Sequence, residues 1–172
     1  WEFHVPKDKI CVLYKEILKA GSNFGIRPIG NHAISAMRIE KGFRAIGHEL
    51  SPDETPLEAG LSFAIDWNKH FLGKEALLIQ KEAGLKKRLA CFVLEDKNIT
   101  LWGSEPILWN GAKVGYTTSA AYGPTVGASV AMGYIAKPEG GIVLKSDLEN
   151  DKFEIEQNGQ LYSAKASFKS VL

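Results

Sequence analysis

The sequence has few of the residues that announce a function on their own. Its 172 residues include only two cysteines, Cys11 and Cys91, each inside an apolar, patterned segment, so two buried free thiols are expected and no disulfide framework. No apolar run approaches the roughly 20 residues of a membrane-spanning helix, and no membrane partner is expected. The net charge is only +1, which excludes the broad basic footprint of a nucleic-acid-binding protein. The four histidines, His4, His32, His48 and His70, are scattered without metal-ligand spacing, and no metal site is assigned. No glycine-rich loop follows a strand in the order that cradles a phosphate; Gly103, Gly111, Gly115, Gly123 and Gly127 read as turn and strand-end glycines. No Ser-His-Asp order carries a nucleophile elbow, and no catalytic residue is assigned. Lys86-Lys87-Arg88 is a basic run too short for a partner site and reads as a solvated linker.

What is present is a chain that can bury real cores: 45% of it is hydrophobic and 24% charged, enough for one large or two small domains. It opens on Trp1 rather than Met and shows no signal-like segment, so the expectation is a piece of something longer, whose site is incomplete. Trp1 to Val5 has strand composition and Pro6 ends it. Asp8 is placed to cap a helix whose apolar residues Ile10, Leu13, Tyr14, Ile17 and Leu18 recur at helical spacing, with Gly21 closing it. A second helix is predicted over residues 31–40 with Ala33, Ala36 and Met37 inward. Residues 44–60 read as loop, Leu61 to Asp66 as a strand, and Lys74 to Ala83 as an amphipathic helix ended by Gly84.

After Lys86 the pattern shortens to strands at 88–95, 105–109, 112–118, 129–136, 141–146, 153–157 and 161–168. Asn110-Gly111 and Asn158-Gly159 are hairpin turns. The fold expected is α+β, with an α/β region over residues 1–85 followed by a small β-barrel over 86–172.

One constellation offers ligand chemistry. Glu2 lies in an apolar segment between Trp1 and Phe3, where a carboxylate is costly without a partner. Strand alternation would put it on the solvent face. A ligand with two N–H groups side by side, such as a pterin edge, would instead be accepted by both carboxylate oxygens. Phe3, Phe63 and Trp67 are either flat walls for such a heterocycle or ordinary core.

The order of residues from Ile34 to Phe63, with Thr55-Pro56-Leu57-Glu58-Ala59-Gly60-Leu61 at its end, resembles the folate-binding aminomethyltransferase domain of the glycine cleavage system and its relatives. The C-terminal half of sarcosine and dimethylglycine dehydrogenases looks most similar. Phe71 to Leu77, Gly84 to Leu89, Glu105 to Ile107, Val114 to Ser119 and Ala131 to Ile135 agree in order and spacing. Arg88 to Phe92 with Glu95 to Lys97, and Gly133 to Ile135 before Pro138 to Gly141, are similar to sarcosine dehydrogenase. Ile34 stands where the glycine cleavage enzyme has a folate-contacting Arg, which favours the dehydrogenase branch.

The resemblance implies a partial aminomethyltransferase-type folate-binding domain followed by a C-terminal β-barrel that braces it. Trp1-Glu2 matches a Gly-Trp-Glu segment whose Glu binds the pterin of tetrahydrofolate. Phe3 and His4 continue that stretch, and Phe63 replaces a folate-contacting Tyr, keeping the ring without the hydroxyl. In the family an FAD-bearing N-terminal domain of the same polypeptide oxidises a small N-methyl amine to an iminium. Tetrahydrofolate then captures the one-carbon unit as methylenetetrahydrofolate. The flavin domain, and an acidic residue near the reacting folate nitrogen, would lie in an earlier part of the polypeptide. The resemblance also implies the mitochondrial matrix for a eukaryotic source and cytoplasm for a bacterial one. Two other readings share the architecture: the glycine cleavage aminomethyltransferase itself, and the non-catalytic regulatory subunit of pyruvate dehydrogenase phosphatase.

Overall fold

A computed structural model describes all residues, Trp1 to Leu172, and divides them into two compact units, Trp1–Ala33 and Ile34–Leu172. The first unit is built around helix α1 (Ile10–Gly21), entered through a 3-10 turn at Lys7–Lys9 and left through another at Ser22–Phe24. Leu13, Ile17 and Leu18 form its half-buried stripe, as the helical spacing requires. Gly21 ends the helix because the backbone folds back on it. The Ile26 N–H bonds to the Gly21 carbonyl at 3.2 Å, and a Cβ at Gly21 would sit 2.6 Å from Ile26 Cγ2.

Three expectations fail in this unit. Trp1 to Val5 forms no strand, since a strand is defined by a ladder and no neighbouring strand pairs with it. Asp8 lies inside the entry turn and makes no cap hydrogen bond to α1. Cys11 is exposed, so only Cys91 is the buried thiol foreseen.

Helix α2 (Asn31–Glu40) follows, and its last turns belong to the second unit. Its buried face is Ala36, Ile39 and Glu40; Met37 and Ala33 are exposed, one position off the face predicted. Helix α3 covers Lys74–Ala83 and stops at Gly84, whose φ of 83° favours glycine. Between them, Leu61 to Asp66 is not a strand. Ala64 and Ile65 donate back to the Leu61 and Ser62 carbonyls at 3.0 and 3.4 Å, so local bonds replace a ladder and make a 3-10 turn at Ser62–Ala64.

The rest is a closed antiparallel barrel of β1 (Lys87–Leu94), β2 (Pro106–Trp109), β3 (Ala112–Gly123), β4 (Ala128–Ala136), β5 (Phe153–Gln157) and β6 (Gln160–Ser167). The strand order is β1-β4-β3-β2-β5-β6, and β6 pairs with β1 to close it. Residues Gly141 to Leu144 form no strand, and Lys145–Asn150 is a short helix α4 whose entry is capped by Asp147 accepting the Leu144 N–H at 2.7 Å. Both Asn-Gly turns form as predicted, with Asn110 at φ 49° and Asn158 at φ 52°.

Phe92, Leu94, Ile107, Trp109, Ile135, Phe153 and Ile155 fill the barrel. The alternate residues of β1 and β4, Leu89, Cys91, Val130 and Met132, are buried too, because Ile39 of α2 packs on the outside of the same strands. That two-sided burial explains why these two strands are continuous apolar runs rather than alternating ones. Burial pushes the Cys91 thiol up to about 11, so it stays protonated and unreactive at neutral pH.

Candidate functional site

Two sets of polar side chains bear on function, and they differ in whether their hydrogen-bonding capacity is used. The first is at the start of the sequence. The side chains of Glu2 and His4 are 83% and 86% exposed and meet each other at 3.1 Å. No other hydrogen bond is made to the Glu2 carboxylate, so most of its acceptor positions are open. Phe3 and His4 lie together on the wall of a hollow of about 420 Å³, completed by Val5, Ile10, Leu13, Tyr14 and Ile17. The hollow has flat rings and branched aliphatics around an exposed polar edge, which is the composition a bicyclic heterocycle needs. Phe63 belongs to the second unit. It sits on the 3-10 turn with 81% of its surface exposed.

The second set is buried and saturated, and was not foreseen. Arg38 of α2 donates through Nη1 to Glu49 Oε2 at 2.7 Å and to the Phe43 carbonyl at 3.3 Å, and through Nη2 to Ser119 Oγ of β3 at 2.5 Å. Glu49 is fully buried and also accepts the Ala45 N–H at 3.0 Å and the Thr118 hydroxyl at 2.7 Å. The Tyr134 hydroxyl of β4 donates to the Glu49 carbonyl at 2.8 Å. Two residues beyond Arg38, the buried carboxylate of Glu40 accepts the Thr125 and Val126 N–H groups at 2.8 and 3.0 Å and the Thr125 hydroxyl at 3.1 Å. A buried carboxylate whose two oxygens already accept three hydrogen bonds is a fastener and not a base. This set ties α2 and the 43–50 loop to the β3–β4 hairpin. The sequence signal was available: Arg38 and Glu40 flank buried Ile39 on a helix, where charges persist only when paired.

Glu49 gives this fastener a pH dependence. Burial alone would raise its pKa, but hydrogen bonding from Ser119, the Ala45 N–H and Thr118, with the Arg38 charge, outweighs burial, and the net shift is downward from 4.5. A carboxyl whose folded pKa is depressed stabilises the fold above the unfolded value, and that stability is lost as pH falls through the folded value. We expect the melting temperature to drop on acidification below about 4.5, and the drop to be shallower in Glu49→Gln. Melts of both proteins across the acid range check this; parallel profiles would assign the acid sensitivity to other groups.

The protein matches two adjoining families. The GCVT N-terminal domain matches residues 1–69, and the glycine cleavage T-protein C-terminal barrel domain matches residues 87–171. It is 40% identical over 172 residues to the mitochondrial sarcosine dehydrogenase of Homo sapiens, covering 99% of this chain and 19% of that protein. It is 41% identical over 137 residues to human mitochondrial dimethylglycine dehydrogenase, covering 78% of this chain and 16% of that one. The sequence thus spans about a fifth of the length of these relatives. The glycine cleavage system aminomethyltransferase T of Bartonella henselae has the same fold in its crystal structure, with a TM-score of 0.75 and 23% identity over 93% of this chain and 43% of that one. Two family domains that fall on consecutive parts of one polypeptide, with its barrel where the barrel domain matches, leave one assignment: the chain belongs to the aminomethyltransferase-like, glycine cleavage T-protein family, with sarcosine and dimethylglycine dehydrogenases among its homologues.

Proposed function

We propose that the protein is the tetrahydrofolate-binding portion of a flavin-dependent N-methyl amine dehydrogenase acting on sarcosine or dimethylglycine. The observation that carries this reading is the 40% identity to sarcosine dehydrogenase, which covers 99% of the sequence. Residues 1–85 are assigned to the folate-binding part and residues 86–172 to the barrel that braces it. The mitochondrial names of the relatives favour the mitochondrial matrix.

The residues at the start of the sequence fit a folate. The open acceptor positions of Glu2 suit the exocyclic amino group and ring N–H of a pterin, and the hollow beside Phe3 and His4 supplies its apolar wall. Phe63 is proposed as a ring contact, with an exposed face to offer. Tetrahydrofolate, when bound, supplies the nitrogen nucleophile that takes up a one-carbon unit. The protein's own part is to hold and orient the pterin. A flavin is another matter: no strand-turn-helix with a glycine-rich loop is present among these elements, and no residue here is assigned to FAD.

In the full-length protein, Glu2→Gln replaces one acceptor with a donor facing another N–H. Folate binding should weaken by roughly 2–4 kcal/mol, about one and a half to three decades. Flavin reduction by the amine should be unchanged, while one-carbon capture falls and free formaldehyde rises. Titration of tetrahydrofolate into both proteins, with formaldehyde assayed alongside, reads both quantities. Equal folate affinity would remove Glu2 from the site.

A further inference from the structure

The barrel carries two Asn-Gly turns with the same sequence chemistry and almost the same backbone, yet they are anchored very differently. Asn110 and Gly111 join β2 to β3 at φ 49° and 83°; Asn158 and Gly159 join β5 to β6 at φ 52° and 76°. All four residues are exposed. Asn110 is tied to a third segment: its N–H donates to the Lys152 carbonyl at 2.8 Å, and its carboxamide Oδ1 accepts the Lys152 N–H at 2.9 Å. The Asn158 carboxamide makes no hydrogen bond. Its turn is held by the ladder of its own hairpin, ending in the Gln157–Gln160 pair, and the tie to another segment is made by the neighbouring side chain, Gln157 Nε2 donating to the Thr100 carbonyl.

We propose that Asn158 is a spontaneous modification site, deamidating through a succinimide, and that Asn110 is protected from the same reaction by Lys152. The backbone nitrogen of Gly159 loses its proton and attacks Cγ of Asn158. A bond from that nitrogen to Cγ closes the five-membered ring, the Cγ–Nδ2 bond of the carboxamide breaks, and Nδ2 leaves as ammonia with a proton returned from solvent. Water then adds to either ring carbonyl, opening the ring to aspartate or, through the other carbonyl, to isoaspartate. No oxidant or other reactant is needed, and Gly159 suits the attack because nothing lies within 4 Å of where a Cβ would be.

The attack requires the turn to leave its left-handed geometry so that the glycine nitrogen can reach Cγ. At Asn158 that is a local fraying of a hairpin tip. At Asn110 it must also break both bonds to Lys152, one of which fixes the carboxamide itself. Two hydrogen bonds of ordinary net strength slow the reaction by about tenfold or more. Conversion at Asn158 adds a negative charge beside Glu154 and Glu156 of β5, and the isoaspartyl form adds a backbone methylene at the tip of the hairpin.

The test is peptide mass spectrometry on the full-length protein held at mildly alkaline pH and body temperature, following both Asn-Gly peptides over time, natively and in concentrated urea. Native Asn158 should convert about tenfold faster than Asn110, and the two rates should converge in urea, where only the shared Asn-Gly chemistry remains. A native ratio below about threefold, or a ratio that persists in urea, would overturn the proposal.

Discussion

Arg38→Met should cost about 3–5 kcal/mol of stability, because it leaves the fully buried Glu49 carboxylate without its cation. Methionine fills much of the arginine stem's volume, so packing changes less than charge. The effect should appear as a lower urea midpoint with an unchanged slope. Lys145→Ala is the comparison. Its pair with Glu149 is on the surface of α4, and its loss should cost no more than about 0.5 kcal/mol. Replacing Glu49 with Met as well should recover part of the loss, since no buried charge is then stranded. A single-variant cost below about 1 kcal/mol would mean that the pair does not hold α2 to the barrel.

Phe92→Ala should be comparably severe, at about 3–5 kcal/mol. The ring is fully buried in the barrel, with the Phe153 centroid 6.0 Å away and the Trp109 ring 5.1 Å from Phe153, tilted by 38° to it. A closed barrel cannot collapse onto a cavity, because every wall strand is pinned by two neighbours, so the lost contacts are not remade. The melting temperature of the variant is the measurement. A fall of only a few degrees would show that the barrel relaxes more than a closed sheet should.

The parts of the fold legible in the sequence were those set by local chemistry. The helices at 31–40 and 74–83 and both Asn-Gly turns follow from spacing and from residues with one conformational use. What failed depended on partners. Trp1 to Val5 and Leu61 to Asp66 have the composition of strands, but composition does not supply a neighbour to pair with. Gly141 to Ser146 failed because Asp147 captures the Leu144 N–H and starts a helix instead. Met37 was placed inward because periodicity defines a stripe and not its centre; the barrel surface chose Ala36, Ile39 and Glu40. At the site, Glu2 stood out as a charge among apolar residues. The Arg38–Glu49 fastener was hidden because Arg38 lies 11 positions from Glu49 and 81 from Ser119, and the three converge only once β3 is in place.

The closure of the barrel also dictates the order in which it can be made. β1 is the first of its strands to be synthesised and β6 the last, yet Cys91 to Leu94 pair with Ala164 to Ser167. While the ribosome is still producing the intervening residues, β1 has β4 on one side and nothing on the other. The nascent barrel therefore exposes an apolar edge until its final strand emerges. A premature stop or frameshift that removes β6 does more than shorten the protein. It opens two edges at once, on β1 and on β5, and turns a closed surface into a template for joining other polypeptides.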